Sequence, residues 1–237
     1  MRLAVVALAL FGATLIRSVF GFGDALFAMP LMSLAVGVSV ATPVMGLVSV
    51  ILAAGVLLTS WRHLDIAAVW RLVAAALIGI PVGLLLLKRV DEGILRAGLG
   101  VAVAGFGLYR LTRPLLPELR SDRWAFLFGF VGGCLGGAYN IGGPPLVVYG
   151  AMRRWNVQRF RGTLQGTFLA TSVLIAGGHG LAGLWTEDVW GHVLLSIPGV
   201  VLAMVLGRLV TRHIDPSAFD RALSLALMVL GVMVMVG

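Results

Sequence analysis

Asn140-Ile141-Gly142-Gly143-Pro144-Pro145 cuts through a long apolar segment, and Gly21-Phe22-Gly23-Asp24, followed by Pro30, cuts another at the matching place in the first half of the chain. Glycine permits positive φ and close approach of a solute to the backbone. Proline at the first helical position gives up an N–H that would be unpaired anyway. The second run therefore reads as a helix end, a turn and a new helix start, which aims free N–H groups and a positive dipole end into the gap. A helix start of this kind receives anions. Asn140 adds a side chain that donates or accepts at the edge. The plainer reading is a glycine-rich kink with no ligand.

The first run aligns with the second one for one. Asp24 is expected at the N-cap of the following half-helix, where aspartate is favoured. Arg17 lies two turns earlier. A carboxylate near the bilayer midplane costs about 2.5–3.5 kcal/mol, which makes it a functional-site candidate by default. Arg17 then helps to hold an anion while Asp24 exchanges a coupling proton; the alternative is a purely structural Arg17–Asp24 pair. A later apolar segment carries Thr163, Gln165, Thr167, Thr171, Ser172 and His179. Thr163, Thr167 and Thr171 share one helical face, where hydroxyls often bond back to their own helix. Gln165 is costlier to bury and is expected to face a cavity. His179 titrates near neutral pH, but a lone histidine beside a membrane interface reads as structural. The candidate substrate-binding set is Arg17, Gly21, Phe22, Gly23, Asp24, Asn140, Ile141, Gly142, Gly143, Pro144, Thr163 and Gln165, with the anion between the two breaks.

The elements that must position these residues are membrane helices. Of the 237 residues, 59% are hydrophobic and 12% charged, about half the charge fraction usual for soluble domains. Charges bunch between apolar runs at 3–19, 24–37, 41–60, 66–87 and 93–109, and again at 124–139, 144–152, 162–183, 190–210 and 217–236. Alternating ten-residue strands are absent, which argues against a β-barrel. The expected class is an all-α polytopic membrane protein of two four-segment repeats, each opening with a glycine-broken helix. The repeats occupy residues 1–110 and 124–237, joined by a cytoplasmic linker at 111–123. The N-terminal apolar run leads into Arg17 and more membrane segment, so it reads as retained rather than as a cleaved signal.

Weak matches in a fixed order support duplication. Ala41-Thr42 resembles Gly162-Thr163, Val69-Trp70 resembles Val189-Trp190, and Ile80-Pro81-Val82-Gly83 resembles Ile197-Pro198-Gly199-Val200. Lys88-Arg89-Val90-Asp91 resembles Arg212-His213-Ile214-Asp215, with Arg96 and Arg221 following. Each broken segment either crosses once, giving parallel halves, or folds back as a re-entrant hairpin, giving inverted halves. Hairpins put Arg62, Arg110, Arg113, Arg120, Arg123, Arg153, Arg154, Arg159, Arg161, Arg208 and Arg212 on one side. The positive-inside rule favours that arrangement, with both termini outside.

The net charge of +8 follows from those loops, and no basic run has the aromatic interleaving of a nucleic-acid surface. Trp61, Trp70, Trp124, Trp155, Trp185 and Trp190 fall near segment ends, as an interfacial belt does. Cys134 is the only cysteine, so neither an intrachain disulfide nor a cysteine metal cluster can form. No metalloprotease, nucleophile-elbow, Walker or dinucleotide motif is present. The expectation is a non-enzyme without cofactor or metal, whose partners are a small anion and the lipid bilayer, with protons as the candidate coupling ion and a homo-oligomer as the candidate assembly.

Gly21–Leu31 (GFGDALFAMPL) and Asn140–Leu146 (NIGGPPL), each opening one half of a small duplicated membrane protein, resemble the sulfite exporter TauE/SafE family. Arg161-Gly162-Thr163 adds to the likeness, which covers nearly the whole chain. The resemblance implies a multi-pass protein of the bacterial cytoplasmic membrane that moves sulfite, organosulfonates or related small anions. The chain departs from the family at Asp24, where the first motif usually has glycine. A carboxylate there repels an anion unless it is protonated or paired with Arg17. A passive anion channel and a transporter of small carboxylates are the alternatives.

Overall fold

The computed structural model describes residues 2–60, 64–112, 114–210 and 216–236. Trp61, Arg62, Arg113 and the Arg212-His213-Ile214-Asp215 stretch lie outside the described residues, as does the side chain of Arg208. Among the described residues there are ten helices and no strand. They are α1 (Arg2–Phe20), α2 (Asp24–Val36), α3 (Val38–Ser60), α4 (Ile66–Arg89), α5 (Glu92–Thr112), α6 (Trp124–Tyr139), α7 (Gly143–Met152), α8 (Val157–Leu181), α9 (Glu187–Val210) and α10 (Pro216–Val236).

Five of these, α1, α3, α4, α5 and α9, are long and apolar enough to cross a membrane. Helices α2 and α6 are apolar but shorter, and α8 has length without uniform apolarity. Helices α3 and α8 begin earlier than hydrophobicity predicts, for reasons of local capping. Gly37, at φ 80°, closes α2 and lets α3 start at Val38 rather than 41. Asn156 caps α8 by accepting the Arg159 N–H at 2.9 Å, so α8 starts at Val157 rather than 162. Capping by asparagine fixes a helix start regardless of hydropathy.

The chain forms two compact units. One takes in residues 1–45, 89–114 and 186–237, the other residues 46–88 and 115–185. Each unit draws on both halves of the sequence.

In the first unit α2 folds back on α1. A Cβ on Gly12 would sit 3.1 Å from the Phe27 ring. Fifteen residues of continuous helix would put the two about 22 Å apart, so the chain must reverse at Gly21–Gly23. Helix α5 crosses α10 at glycines: a Cβ on Gly107 would lie 2.8 Å from the Ser224 carbonyl oxygen, and one on Gly231 2.7 Å from that of Gly100. Helix α1 also packs along α9, where Gly207 meets Ser18. Small residues allow this close backbone approach between apolar helices.

In the second unit the glycines of α6 serve two neighbours. Gly129, Gly133 and Gly137 lie against backbone carbonyls of Leu72, Ala76 and Ile80 on α4. Gly132 and Gly136 face the start of α7: a Cβ on Gly132 would be 3.2 Å from the Gly142 carbonyl oxygen and 3.6 Å from the Leu146 side chain. Residues 132 and 146 would be about 21 Å apart in one straight helix, so α7 folds back on α6 as α2 does on α1.

Asp65 begins α4. Its carboxylate accepts the Ala68 N–H at 3.0 Å and pairs with Arg159. Burial pushes this carboxyl up, but the Arg159 side-chain hydrogen bond, the Ala68 N–H and the Arg159 charge together hold it below its ordinary 3.8. A depressed carboxyl stabilises above its unfolded pKa, and the stabilisation goes as pH falls through the folded value. Asp65→Ala is expected to cost about 1 kcal/mol at neutral pH. In thermal melts of purified protein, most of that gap should close once the pH drops below the lowered value; a gap unchanged in acid would mean that the charge plays no part.

Candidate functional site

The second break is built on α6, α7, α3 and α8 of the second unit. Asn140 ends α6 at φ 55°, ψ 20°, the left-handed conformation that asparagine tolerates. Its N–H bonds the Gly136 carbonyl at 2.7 Å, and the next N–H, of Ile141, reaches Leu135 at 3.2 Å. With the backbone so turned, the Asn140 side chain donates from Nδ2 to Ser49 Oγ on α3 at 2.8 Å. Ile141 is buried.

Gly142 is the N-cap of α7 and Gly143 its first residue, so Pro144 and Pro145 occupy the second and third positions rather than opening the helix. The first four N–H groups of a helix lack an i−4 carbonyl. Two of those four positions are proline here. The amides that the α7 start can offer an anion are therefore those of Gly142 and Gly143.

Helix α8 runs along this hairpin. Phe168 lies 3.6 Å from where a Gly143 Cβ would be, Ile175 packs at Gly136, and His179 reaches Gly137. His179 is fully buried. Its Nε2 lies 3.3 Å from the Gly137 carbonyl oxygen. A carbonyl only accepts, so Nε2 carries the proton and Nδ1 is left with a lone pair. That Nδ1 is buried without a hydrogen-bond partner. A Cβ on Gly46 would be 3.1 Å from Nδ1 and 3.8 Å from Asn140 Oδ1. Gly46, Ser49, Asn140 and His179 thus form one buried polar cluster. Sequence reading set His179 aside as structural and passed over Ser49 and Gly46; hydroxyls and glycines in an apolar run carry no signal of their own.

Thr163 and Gln165 are buried near the start of α8. The Thr163 hydroxyl accepts the Asp65 N–H at 3.2 Å. Thr167 bonds back to the Thr163 carbonyl and Thr171 to that of Thr167, each at 2.8 Å. This is the back-bonding pattern expected of such a ladder.

At the first break, Gly21 and Gly23 adopt φ 81° and 95°. The N-cap of α2 is Gly23, and it makes no side-chain cap bond. The expectation that Asp24 caps α2 is corrected: Asp24 is the first helical residue. Only glycine takes the left-handed turn cheaply, so the cap falls one residue earlier and frees the carboxylate. It accepts from Arg17 Nη1 at 2.6 Å, with the two side chains 4% and 7% exposed. Phe22 is buried against Phe106 and lies under Arg110, whose guanidinium is 5.2 Å from the ring centre. Arg110 also pairs with Asp220. The first break therefore already holds its own charge pair and its own cation–aromatic cluster.

Helical throughout the described residues, with five helices long and apolar enough to cross a membrane, the chain is a multi-pass membrane protein. The chain belongs to the sulfite exporter TauE/SafE family, whose model matches residues 6–234. It is 30% identical over 225 residues to a probable sulfite/organosulfonate exporter TauE of Cupriavidus necator, covering 90% of this chain and 86% of that protein. No solved structure matches it.

Proposed function

We propose that the chain is a secondary transporter, not an enzyme, that carries sulfite, an organosulfonate or a related sulfur-containing anion across the bacterial cytoplasmic membrane. The anion is received at the second helix break by the amides of Gly142 and Gly143 and by the side chains gathered around Asn140. The observation that carries this reading is the cluster of Asn140, Ser49 and His179, buried beside a helix start that presents two glycine amides. Burying such groups among apolar helices is costly unless they are hydrogen-bonded, and His179 Nδ1 has no such partner; polar groups inside membrane helices mark candidate functional sites. Broken helices at corresponding places in two repeats are where transporters of this design bind their substrates.

The reversals at Gly21–Gly23 and Asn140–Gly142 support re-entrant hairpins, hence inverted halves with the arginine-rich loops inside and both termini outside. Proton coupling runs through Asp24, whose bond to Arg17 protonation would break.

The test is a flux panel in proteoliposomes with sulfite, sulfate, thiosulfate, taurine, sulfoacetate and small carboxylates, with and without a pH gradient. Saturable flux of a sulfur oxyanion, faster with the gradient, is the expected result. Flux that rises without saturation would make the protein a channel, and flux confined to carboxylates would overturn the substrate class.

A further inference from the structure

A second polar site lies in the second unit, at the opposite end of α8 from His179. A cavity of about 200 Å³ is lined by Arg71, Arg153, Arg159, Asp65, Asp122 and Trp155. Asp122 accepts from Arg71 at 2.8 Å and from Arg153 at 2.6 Å, and Asp65 pairs with Arg159. Three guanidinium groups against two carboxylates leave a formal surplus of +1. The Nη1 of Arg153 donates to the carbonyls of Leu119 and Arg120 at 2.8 and 2.7 Å, which fixes its guanidinium in place. Arg153 Nε and Trp155 Nε1, on two of the lining residues, are buried with no hydrogen-bond partner. Buried donors are nearly always paired in a finished structure. The Trp155 ring is braced edge-on by Tyr149 and carries Arg159 over its face at 5.5 Å.

We infer that this cavity is a second anion site, which takes a small oxyanion such as sulfate or sulfite. The chemistry of the wall selects the ligand. Guanidinium forks match the paired oxygens of an oxyanion, the charge surplus attracts it, and the unpaired Arg153 and Trp155 N–H groups behind the wall become donors where a small shift of these side chains turns them to the ligand. A rotation of Asp122 away from Arg71 is enough to exchange one acceptor for another. The Thr163 hydroxyl bonded to the Asp65 N–H ties the same wall to the start of α8, so an anion here braces the foot of the helix that runs past the break. The inference is independent of what the break itself binds.

A sulfate group and a phospholipid headgroup share this chemistry, and the test separates them. Full-length protein in phosphatidylcholine nanodiscs is titrated with sodium sulfate by calorimetry, at constant ionic strength held with chloride. The substitutions at Arg71, Arg153 and Asp122 assign the signal to the cavity, since none of these residues belongs to the break. Sulfate should bind, and Arg71→Gln with Arg153→Gln should weaken it roughly tenfold or more, the size expected for loss of charge-assisted hydrogen bonds. Asp122→Asn, which removes a competing carboxylate and raises the surplus to +2, should tighten binding and shows the effect even if the arginine variant fails to fold. If phosphatidylglycerol in the nanodisc abolishes the sulfate signal, the oxyanion is a lipid headgroup. A sulfate isotherm indifferent to all three substitutions, or no isotherm at all, overturns the site.

Discussion

Arg17→Leu is expected to destabilise the protein by about 3–5 kcal/mol, the usual result of leaving one member of a buried ion pair without its partner. The Asp24 carboxylate would then sit in a side-chain environment only 7% open to solvent, with its 2.6 Å bond to Arg17 gone. Asp24→Leu alone should cost about as much, for the mirror-image reason. The double variant Arg17→Leu/Asp24→Leu should recover most of the loss, because no uncompensated charge remains. Thermal unfolding in detergent reads all three. The double variant also separates two roles. If the pair only holds the α1–α2 reversal together, anion flux in the double variant keeps its dependence on a pH gradient. If Asp24 exchanges the coupling proton, the double variant loses that dependence while still folding. A wild-type melt from Arg17→Leu would show that the pair carries no energetic weight.

The pair illustrates what the sequence made legible. An arginine and an aspartate seven residues apart in an apolar run each lower the cost of burying the other by pairing. Helix positions were legible for the same reason, since charge and hydropathy both mark the bilayer. What failed was local stereochemistry. Asp24 has the residue type of an N-cap, yet Gly23 alone can take φ 95°, and that shifts the cap by one. The start of α8 was misplaced because hydropathy says nothing about Asn156, whereas its capping chemistry does. The threonine ladder of α8 was equally ambiguous, since the same residues serve self-bonding and cavity lining; the hydrogen bonds of Thr167 and Thr171 belong to the first kind.

The part of the site that could not be read is the part assembled from distant segments. His179 lies 39 positions beyond Asn140, and Ser49 lies 91 before it. Their convergence depends on α6 turning back at Gly142 and on α8 following it, neither of which leaves a periodic trace. The arginine-lined cavity has the same origin, for it joins the start of α4 to the 115–123 segment and the α7–α8 turn. The compact units show the limit most plainly. Helix α5 pairs with α10 and α4 with α6, so each unit draws from both halves, a pairing that a repeat in the sequence does not specify.

Asn140 allows the backbone and the side chain of the break to be tested apart. Its left-handed conformation costs an ordinary residue about 1–2 kcal/mol, whereas glycine adopts it freely. Asn140→Gly therefore keeps the α6–α7 turn and deletes only the amide side chain. Asn140→Ala deletes the side chain and strains the turn, and should melt lower than Asn140→Gly by about 1 kcal/mol or more. Both leave the Ser49 hydroxyl buried without its donor; adding Ser49→Ala removes that penalty, about 1–3 kcal/mol for a buried polar group left unsatisfied. The variant to compare with wild type is thus Asn140→Gly/Ser49→Ala, whose fold should be close to native. A hydrogen bond to a charged ligand is worth about 1.5–3 kcal/mol, so its anion flux at low substrate should fall roughly ten- to hundredfold. Flux at the wild-type level from a folded Asn140→Gly/Ser49→Ala protein would mean that the anion never meets this side chain, and the site at the second break would reduce to the Gly142 and Gly143 amides alone.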